Sequence, residues 1–327
     1  MKTRSTLILA SLLATFMFMQ SCETRSKTAT IGLLMDQFNV ERWADDTTYF
    51  IRTVNANNGK VLCRVANGDP QLQLEQAKEL LNNDVDVLVI VPVDLNKAAD
   101  IVKLANKAGK PTISYDRLIQ NANLDYYISF DNVKVGELQA EYIGKRLVKG
   151  NIALIGGPVT DQNSSYLRFG QLGILQPLIE KGDIRIVYDK FADTWTFEEG
   201  YAKASECIRN GKVDAIIAGN DLLARGVIKA LTEKGLAGKV LVAGQDADTE
   251  ACENIIKGTQ TVSVYKPIAD IASNAAKLAV DLATGIPVVN TTYTTNNGFR
   301  QVPSFLLTPT LVNKGNIGLQ VKTGKRQ

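Results

Sequence analysis

The chain of 327 residues is 45% hydrophobic and 22% charged, so it can bury a substantial core, and its length favours two domains. Its formal net charge of +3 gives no electrostatic case for binding nucleic acid or an anionic membrane surface. The sequence contains no histidine, which excludes Ser-His-Asp and Cys-His nucleophiles, histidine-containing zinc sites and the usual general base near neutral pH.

The amino terminus has the pattern of a secretory signal peptide. Residues 1–4 are basic, residues 5–19 are mostly apolar, and Ser21 and Cys22 follow. The apolar stretch is shorter than the roughly 20 residues that a membrane-spanning helix needs, which disfavours an uncleaved anchor. We therefore expect residues 1–21 to be removed. The segment resembles a bacterial lipoprotein signal, which implies that Cys22 carries a lipid and that residues 22–28 tether the protein to a membrane.

Three cysteines remain besides Cys22, which is an odd number in a compartment that permits disulfides. At least one of Cys63, Cys207 and Cys252 must therefore lack an intramolecular partner. No C-x-x-C spacing occurs, so the sequence favours buried, inert thiols over a redox or metal site.

From Ala29 onward, short runs rich in valine, isoleucine and leucine alternate with amphipathic stretches, a pattern typical of βαβ units around a parallel sheet. The sequence thus predicts an α/β fold. The stretch 72–81 illustrates the predicted helices, because its apolar residues recur at helical spacing. The predicted strands are 29–35, 60–66, 85–91, 111–115, 126–130, 151–155, 184–188, 213–218, 239–243 and 259–265.

Two parts of the chain resemble each other, which suggests two homologous half-domains. Residues 85–90, a helix and residues 109–116 correspond to residues 213–218, a helix and residues 238–246. Each copy ends its second strand on an aspartate, Asp116 or Asp246. Ligands of open parallel sheets bind beyond the carboxyl ends of the strands, so we expect the two aspartates to face one crevice. A helix cap or a turn is the alternative role for either aspartate alone.

Further polar residues follow other predicted strands, and the chain has only two tryptophans. The topology predicts that these side chains converge on the same crevice. They are Arg42 and Trp43 after the first strand, Arg117 next to Asp116, Asp161 and Asn163, Trp195, Asn220 and Asp221, and Lys266.

The polar set favours binding over catalysis. Neither G-x-G-x-x-G nor G-x-x-x-x-G-K-[ST] occurs, so no nucleotide cofactor is indicated. A carboxylate pair could serve a glycosidase, but neighbouring arginine and lysine residues would keep the carboxylates ionised. Three cations and three carboxylates expected around the ligand cancel, which favours a neutral polyol over a charged ligand. They are Arg42, Arg117 and Lys266 against Asp116, Asp161 and Asp246. Tryptophan rings can cover the apolar face of a sugar; a core position is the alternative for each of them.

Several ordered runs of the sequence carry a family resemblance. They include Glu41-Arg42-Trp43, Tyr115-Asp116-Arg117, Gly244-Gln245-Asp246-Ala247-Asp248 and Val264-Tyr265-Lys266-Pro267-Ile268. Over roughly residues 29–316 the chain resembles the periplasmic sugar-binding proteins of ABC importers, which have the type I periplasmic binding protein fold. Within this family, the resemblance is strongest to the members that bind D-xylose.

The resemblance implies two doubly wound parallel-sheet lobes joined by three crossings, near Asp131, near Ser263 and at residues 295–298. The amino-terminal lobe would comprise residues 29–131 and 264–295. The carboxyl-terminal lobe would comprise residues 132–263 and 296–320.

The resemblance also implies the roles of the site residues and the partners. Two tryptophans would stack on the sugar ring and eight polar side chains would bind its hydroxyls. The ligand would be a monosaccharide, D-xylose first, with hexoses excluded for lack of room at the fifth carbon. The protein partners would be an ABC permease and its ATPase. The protein itself would be a monomer without cofactor or metal, located in the periplasm and anchored to a membrane by its lipid. The implied site is Trp43, Trp195, Arg42, Asp116, Arg117, Asp161, Asn163, Asn220, Asp246 and Lys266.

Three other functions remain open at this stage. The same fold can present a sugar to a chemoreceptor or a two-component kinase, and the sequence does not separate such a sensor from an importer component. A sugar-responsive repressor is disfavoured because an export signal stands where a DNA-binding domain would be needed. An enzyme is disfavoured by the missing histidine and nucleotide loops.

Overall fold

A computed structural model of the chain describes residues 28–38, 42–288, 291 and 293–318. The expected signal peptide and Cys22 lie outside the described residues, as does Glu41. The described residues form two α/β lobes, each built on a predominantly parallel sheet, so the predicted fold class is confirmed.

The described part of the chain contains thirteen strands and nine helices. The first half comprises β1 (Thr30–Met35), α1 (Arg42–Ala56), β2 (Lys60–Val65), α2 (Pro70–Asn82), β3 (Val87–Ile90), α3 (Ala98–Lys107), β4 (Thr112–Tyr115), β5 (Tyr126–Phe130), α4 (Asn132–Arg146), β6 (Gly150–Gly156) and α5 (Gln162–Glu180). The second half comprises β7 (Ile184–Phe191), α6 (Phe197–Asn210), β8 (Ala215–Ala218), α7 (Asp221–Glu233), β9 (Leu241–Asp246), α8 (Thr249–Lys257), β10 (Val262–Tyr265), α9 (Ile268–Thr284), β11 (Tyr293–Asn296), β12 (Gln301–Leu307) and β13 (Thr310–Asn313).

Each lobe has one sheet. The amino-terminal sheet has the order β11-β12-β5-β4-β3-β1-β2, and only β11 runs antiparallel to its neighbour. The carboxyl-terminal sheet has the order β13-β10-β9-β8-β6-β7, and only β13 is antiparallel. Helices cover both faces of each sheet, so central strands such as β3 are buried on both sides and consist of apolar residues alone.

The ten strands predicted from the sequence correspond to β1–β10, with ends that differ by up to three residues. The helix predicted at 72–81 lies within α2. This helix begins after Asp69, whose carboxylate accepts hydrogen bonds from the backbone N–H groups of Gln71 and Leu72, and Pro70 occupies its first turn. Strands β11, β12 and β13 were not predicted from the sequence.

The chain crosses between the lobes three times, and two crossings differ from the sequence-based assignment. The first crossing lies at Asp131, between β5 and α4. The second was expected near Ser263, but all of β10 pairs with β9, so the chain crosses only after Tyr265. The third was expected at 295–298, but β12 pairs in parallel with β5. Residues 296–307 therefore belong to the amino-terminal lobe. Val302 of β12 is also buried in the core of that lobe.

Two glycines allow α4 and α5 to pack unusually closely. A Cβ atom on Gly136 would lie 2.0 Å from the carbonyl oxygen of Leu167, and one on Gly170 would lie 2.1 Å from the carbonyl oxygen of Val133. Any side chain at either position would force the helices apart. The close contact fixes the amino terminus of α5, which bears Asp161 and Asn163.

The three cysteines of the described residues lie in two kinds of environment. Cys63, Cys207 and Cys252 are unpaired, and burial raises the pKa of each thiol, to about 11 for Cys207 and Cys252. Only Cys207 is fully buried; the other two are half-buried, contrary to the prediction. Across the described residues, no helix has the length and apolar character needed to cross a membrane.

Candidate functional site

A cavity lies between the two lobes, beyond the carboxyl ends of strands from both sheets. The cavity brings together the ten side chains of the implied site and adds Gln245. Asp221, also expected to converge there, does not line the cavity, because it is fully buried against Gln260 and Ser263. Its lining consists of Arg42, Trp43, Asp116, Arg117, Asp161, Asn163, Trp195, Asn220, Gln245, Asp246 and Lys266.

The first turn of α1 supplies Arg42 and Trp43, both buried. The Arg42 guanidinium is fixed by Asp46, one helical turn later, through contacts of 3.1 Å from Nε and 3.2 Å from Nη2. The Tyr115 hydroxyl donates to the same Asp46 carboxylate. The remaining nitrogen, Nη1, reaches Asp116 at 3.0 Å. Arg42 is thus held rigidly at the cavity wall before any ligand contact is made.

Asp116 and Asp246 occupy equivalent strand ends in the two lobes, and both have a left-handed backbone, with φ of 63° and 98°. This conformation is costly for residues other than glycine and is concentrated at functional sites. It turns each carboxylate toward a cation, Arg42 for Asp116 and Lys266 for Asp246, the latter at 3.0 Å. The repeat seen in the sequence therefore corresponds to a repeated geometry.

Two contacts join the lobes directly across the cavity. Arg117 of the amino-terminal lobe lies 2.7 Å from Asp36 and 3.2 Å from Asp161, which caps α5 of the other lobe. The Asn163 amide donates to the Asp116 backbone oxygen at 3.3 Å and to its carboxylate at 3.2 Å. The described structure therefore has its lobes in contact, with the cavity between them.

Trp195 closes one side of the cavity. Its indole lies directly over Gly157, where a Cβ atom would be 2.1 Å from the ring, and its Nε1 donates to Asp161 at 3.2 Å. Asn220 caps α7, and its side-chain oxygen accepts from the backbone N–H of Leu223 at 2.9 Å. Both residues are thus held by local structure.

The charges of the cavity are mutually neutralising. Burial acts to raise the pKa of Asp116, but the charges of Arg42, Lys266 and Arg117 outweigh it and lower the pKa. The guanidinium of Arg117 keeps its proton, since burial opposes the charge but Asp161 and Asp36 raise its pKa. Burial also raises the pKa of Asp46, which stands behind Arg42 outside the cavity lining. The described residues contain no group of side chains that could hold a metal ion.

Sequence reasoning missed Gln245 and the supporting residues Asp36 and Asp46. Gln245 immediately precedes Asp246, and simple strand alternation would point it to the opposite face. The spacing between Arg42 and Asp46 is one helical turn, which is a readable ion-pair signal. The approach of Asp36 to Arg117 depends on the tertiary fold and left no signal in the sequence.

Comparison with known proteins places the chain among binding proteins. Residues 31–287 match the periplasmic binding protein domain family. The chain is 41% identical over 308 residues to the D-xylose-binding periplasmic protein of Escherichia coli, covering 93% of each chain. It is 32% identical over 343 residues to the multiple sugar-binding periplasmic receptor ChvE of Rhizobium radiobacter, covering 97% of this chain and 95% of the relative.

A solved structure shares the fold over nearly its whole length. It is an ABC transporter solute-binding protein from Clostridium phytofermentans with bound β-D-glucose, with a TM-score of 0.81 and 27% identity. The match covers 90% of this chain and 97% of the other. These similarities are to solute-binding proteins and not to enzymes, in agreement with the binding role expected from the sequence.

Proposed function

The chain belongs to the periplasmic binding protein family, and from this premise we propose that it captures one neutral monosaccharide, D-xylose, between its lobes and delivers it to an ABC importer. The 41% identity to a D-xylose-binding periplasmic protein supports the choice of sugar. The ten residues nominated from the sequence, with Trp43 and Trp195 against the ring, are proposed to form the binding site.

The observation that carries the proposal is the balanced, fully paired charge of the cavity. Arg42, Arg117 and Lys266 each already contact a carboxylate of the same cavity, at 3.0 to 3.2 Å. A charged ligand would leave one buried charge without a partner, which is costly. A sugar hydroxyl donates and accepts at once, so it can join these pairs without changing the net charge.

Closure follows from the contacts divided between the lobes. Arg42 and Trp43 belong to the amino-terminal lobe, whereas Asn220 and Trp195 belong to the other. A sugar that contacts both sets binds the closed arrangement more strongly than an open one, and this difference shifts the population toward closure. The closed surface is then the form that a permease and its ATPase would recognise.

The proposed location is the periplasm, with the protein held at a membrane by a lipid on Cys22. A sensor that presents the bound sugar to a receptor or kinase is the second candidate. The observation that favours it is the 32% identity to a protein named as a multiple sugar-binding receptor. Loss of D-xylose uptake on deleting this gene would support import, whereas intact uptake with a lost transcriptional or chemotactic response would support sensing.

Calorimetric titration of the purified protein tests the ligand. D-xylose, D-ribose, L-arabinose, D-glucose and D-galactose would be compared, with D-xylose expected to bind most tightly. Its binding should stabilise the fold by about 2.7 kcal/mol at roughly a hundred times the dissociation constant.

Two variants accompany the titration. Trp43→Ala should abolish binding, whereas Phe169→Ala, at an exposed aromatic outside the cavity lining, should leave it unchanged. A folded protein that binds none of these sugars, or that prefers a hexose, would refute the proposed ligand.

A further inference from the structure

The side chain of Gln245 is the one cavity-lining group that the proposed site leaves without a role. The residue is 4% exposed and belongs to the last part of β9. Its side-chain oxygen, Oε1, is buried and accepts no hydrogen bond from any residue that the structure describes. Leaving a buried acceptor unsatisfied costs about 1–3 kcal/mol, so the arrangement needs a reason.

Other buried glutamines of the same lobe show what a structural role looks like. Gln139 donates to the backbone oxygens of Ala218 at 3.1 Å and Gly244 at 3.0 Å, and it accepts from Gln171 at 2.8 Å. Every polar atom of the Gln139 amide therefore has a partner within the fold. Gln260 also has an unpartnered oxygen, but its amide nitrogen is bonded to Asp221 and it does not line the cavity.

The position of Gln245 follows from the strand that carries it. Ala243, two residues earlier, packs in the core beneath α4 and α5, and strand alternation puts Gln245 on the same face. Asn163, in the first turn of α5, lines the same cavity. Gln245 thus stands at the side of the cavity bounded by α5.

We infer that Gln245 is a further sugar-binding residue, whose side-chain oxygen accepts a hydrogen bond from one sugar hydroxyl. The inference rests on the proposed function. The carboxylates of the cavity already contact cations, whereas Gln245 presents a neutral acceptor. A ligand that lacks a hydroxyl at the matching carbon leaves this acceptor unsatisfied, so Gln245 selects for a sugar that carries one.

The test replaces the amide by an apolar side chain of similar length. Gln245→Met should weaken D-xylose binding about ten-fold in calorimetric titration, the size expected for one neutral hydrogen bond together with its desolvation. The melting temperature without sugar should stay the same or rise, because an unsatisfied acceptor has been removed. The matched control Gln139→Met should lower the melting temperature, since it strips partners from Ala218, Gly244 and Gln171.

A second comparison identifies the hydroxyl. The 2-deoxy, 3-deoxy and 4-deoxy analogues of D-xylose would be titrated into the wild type and into Gln245→Met. For one analogue Gln245→Met should cause no loss of affinity, because that analogue lacks the hydroxyl that bonds to Gln245. For the other two analogues the loss of affinity should persist.

The outcomes separate this inference from the proposed function. If the wild type binds no D-xylose, the proposed ligand is wrong. If the wild type binds D-xylose and Gln245→Met binds it equally well, the inference is refuted. A melting temperature lowered as far as in Gln139→Met would mean that Gln245 is structural, and failure of both Gln245→Met and Gln245→Leu to fold would mean the same.

Discussion

Gly157 offers the sharpest test of the role of Trp195. A Cβ atom at this position would lie 2.1 Å from Cη2 and 2.2 Å from Cζ2 of the indole. Carbon atoms pack at about 3.5–4.0 Å, so the ring in Gly157→Ala would have to move by at least ~1.4 Å. Gly157 does not have a left-handed backbone, so the substitution adds no backbone strain. Its effect should therefore fall on the indole alone.

The displaced indole would lose two interactions with consequences for binding. Its Nε1 would leave the Asp161 carboxylate, now 3.2 Å away, and its face would leave the cavity wall. Loss of ring stacking and of an oriented charged hydrogen bond together amounts to about 2–3 kcal/mol, or roughly 30- to 150-fold in affinity. Calorimetric titration with D-xylose measures this change directly.

The matched control is the same substitution at Gly173 in α5, where a Cβ atom would meet nothing within 4 Å. Gly173→Ala should keep the affinity and raise the melting temperature slightly, because alanine is the better helix former. If Gly157→Ala binds D-xylose as tightly as the wild type while remaining folded, Trp195 does not contact the sugar and the proposed sandwich is wrong.

Three further predictions concern the helix packing, the pH response and the anchor. Gly136→Ala should destabilise the protein by about 3 kcal/mol or more, since its Cβ would lie 2.0 Å from the Leu167 oxygen. Denaturant unfolding measures this loss of stability, and an unchanged unfolding midpoint would contradict the packing argument. Because the pKa of Asp116 is lowered, its carboxylate contributes stability at neutral pH that is lost as the pH falls through that pKa. The destabilisation caused by Asp116→Asn should therefore be constant from pH 8 down to the ordinary aspartate range of about 4 and shrink only below it, whereas shrinkage already near pH 6 would contradict the argument. Cys22→Ser should move the protein from the membrane to the soluble fraction of fractionated cells, and continued membrane association would exclude the lipid on Cys22.

The strands and the site could be predicted because the information is local. Central strands such as β3 and β8 are compact runs of apolar residues, which a sheet covered on both faces requires. Asp116 and Asp246 were found because a repeat marks equivalent strand ends, and ligands collect there in parallel sheets. The resemblance to a protein family then predicted that distant residues such as Trp43 and Lys266 share one site. The spacing of these residues in the sequence could not have shown this.

The features that the sequence analysis missed depend on contacts between distant parts of the chain. β11 is largely polar and exposed, so hydrophobic periodicity gives it no signal, and its existence depends on pairing with β12. The lobe to which β12 belongs is set by its pairing with β5, about 175 residues earlier in the chain. Gln245 was missed because its importance lies in an unsatisfied atom, which a sequence does not display.

The ion pair between Arg117 and Asp161 explains why closure should depend on a ligand. Bringing the two charges together across the cavity removes both from water, and the attraction gained roughly offsets this desolvation. The pair alone therefore provides little net free energy for closing the lobes. Hydroxyls supplied by a sugar would satisfy the donors and acceptors that remain, Gln245 among them, and add contacts that exist only in the closed form. Sugar binding and closure then become one event, and a neutral ligand is the kind that can drive it.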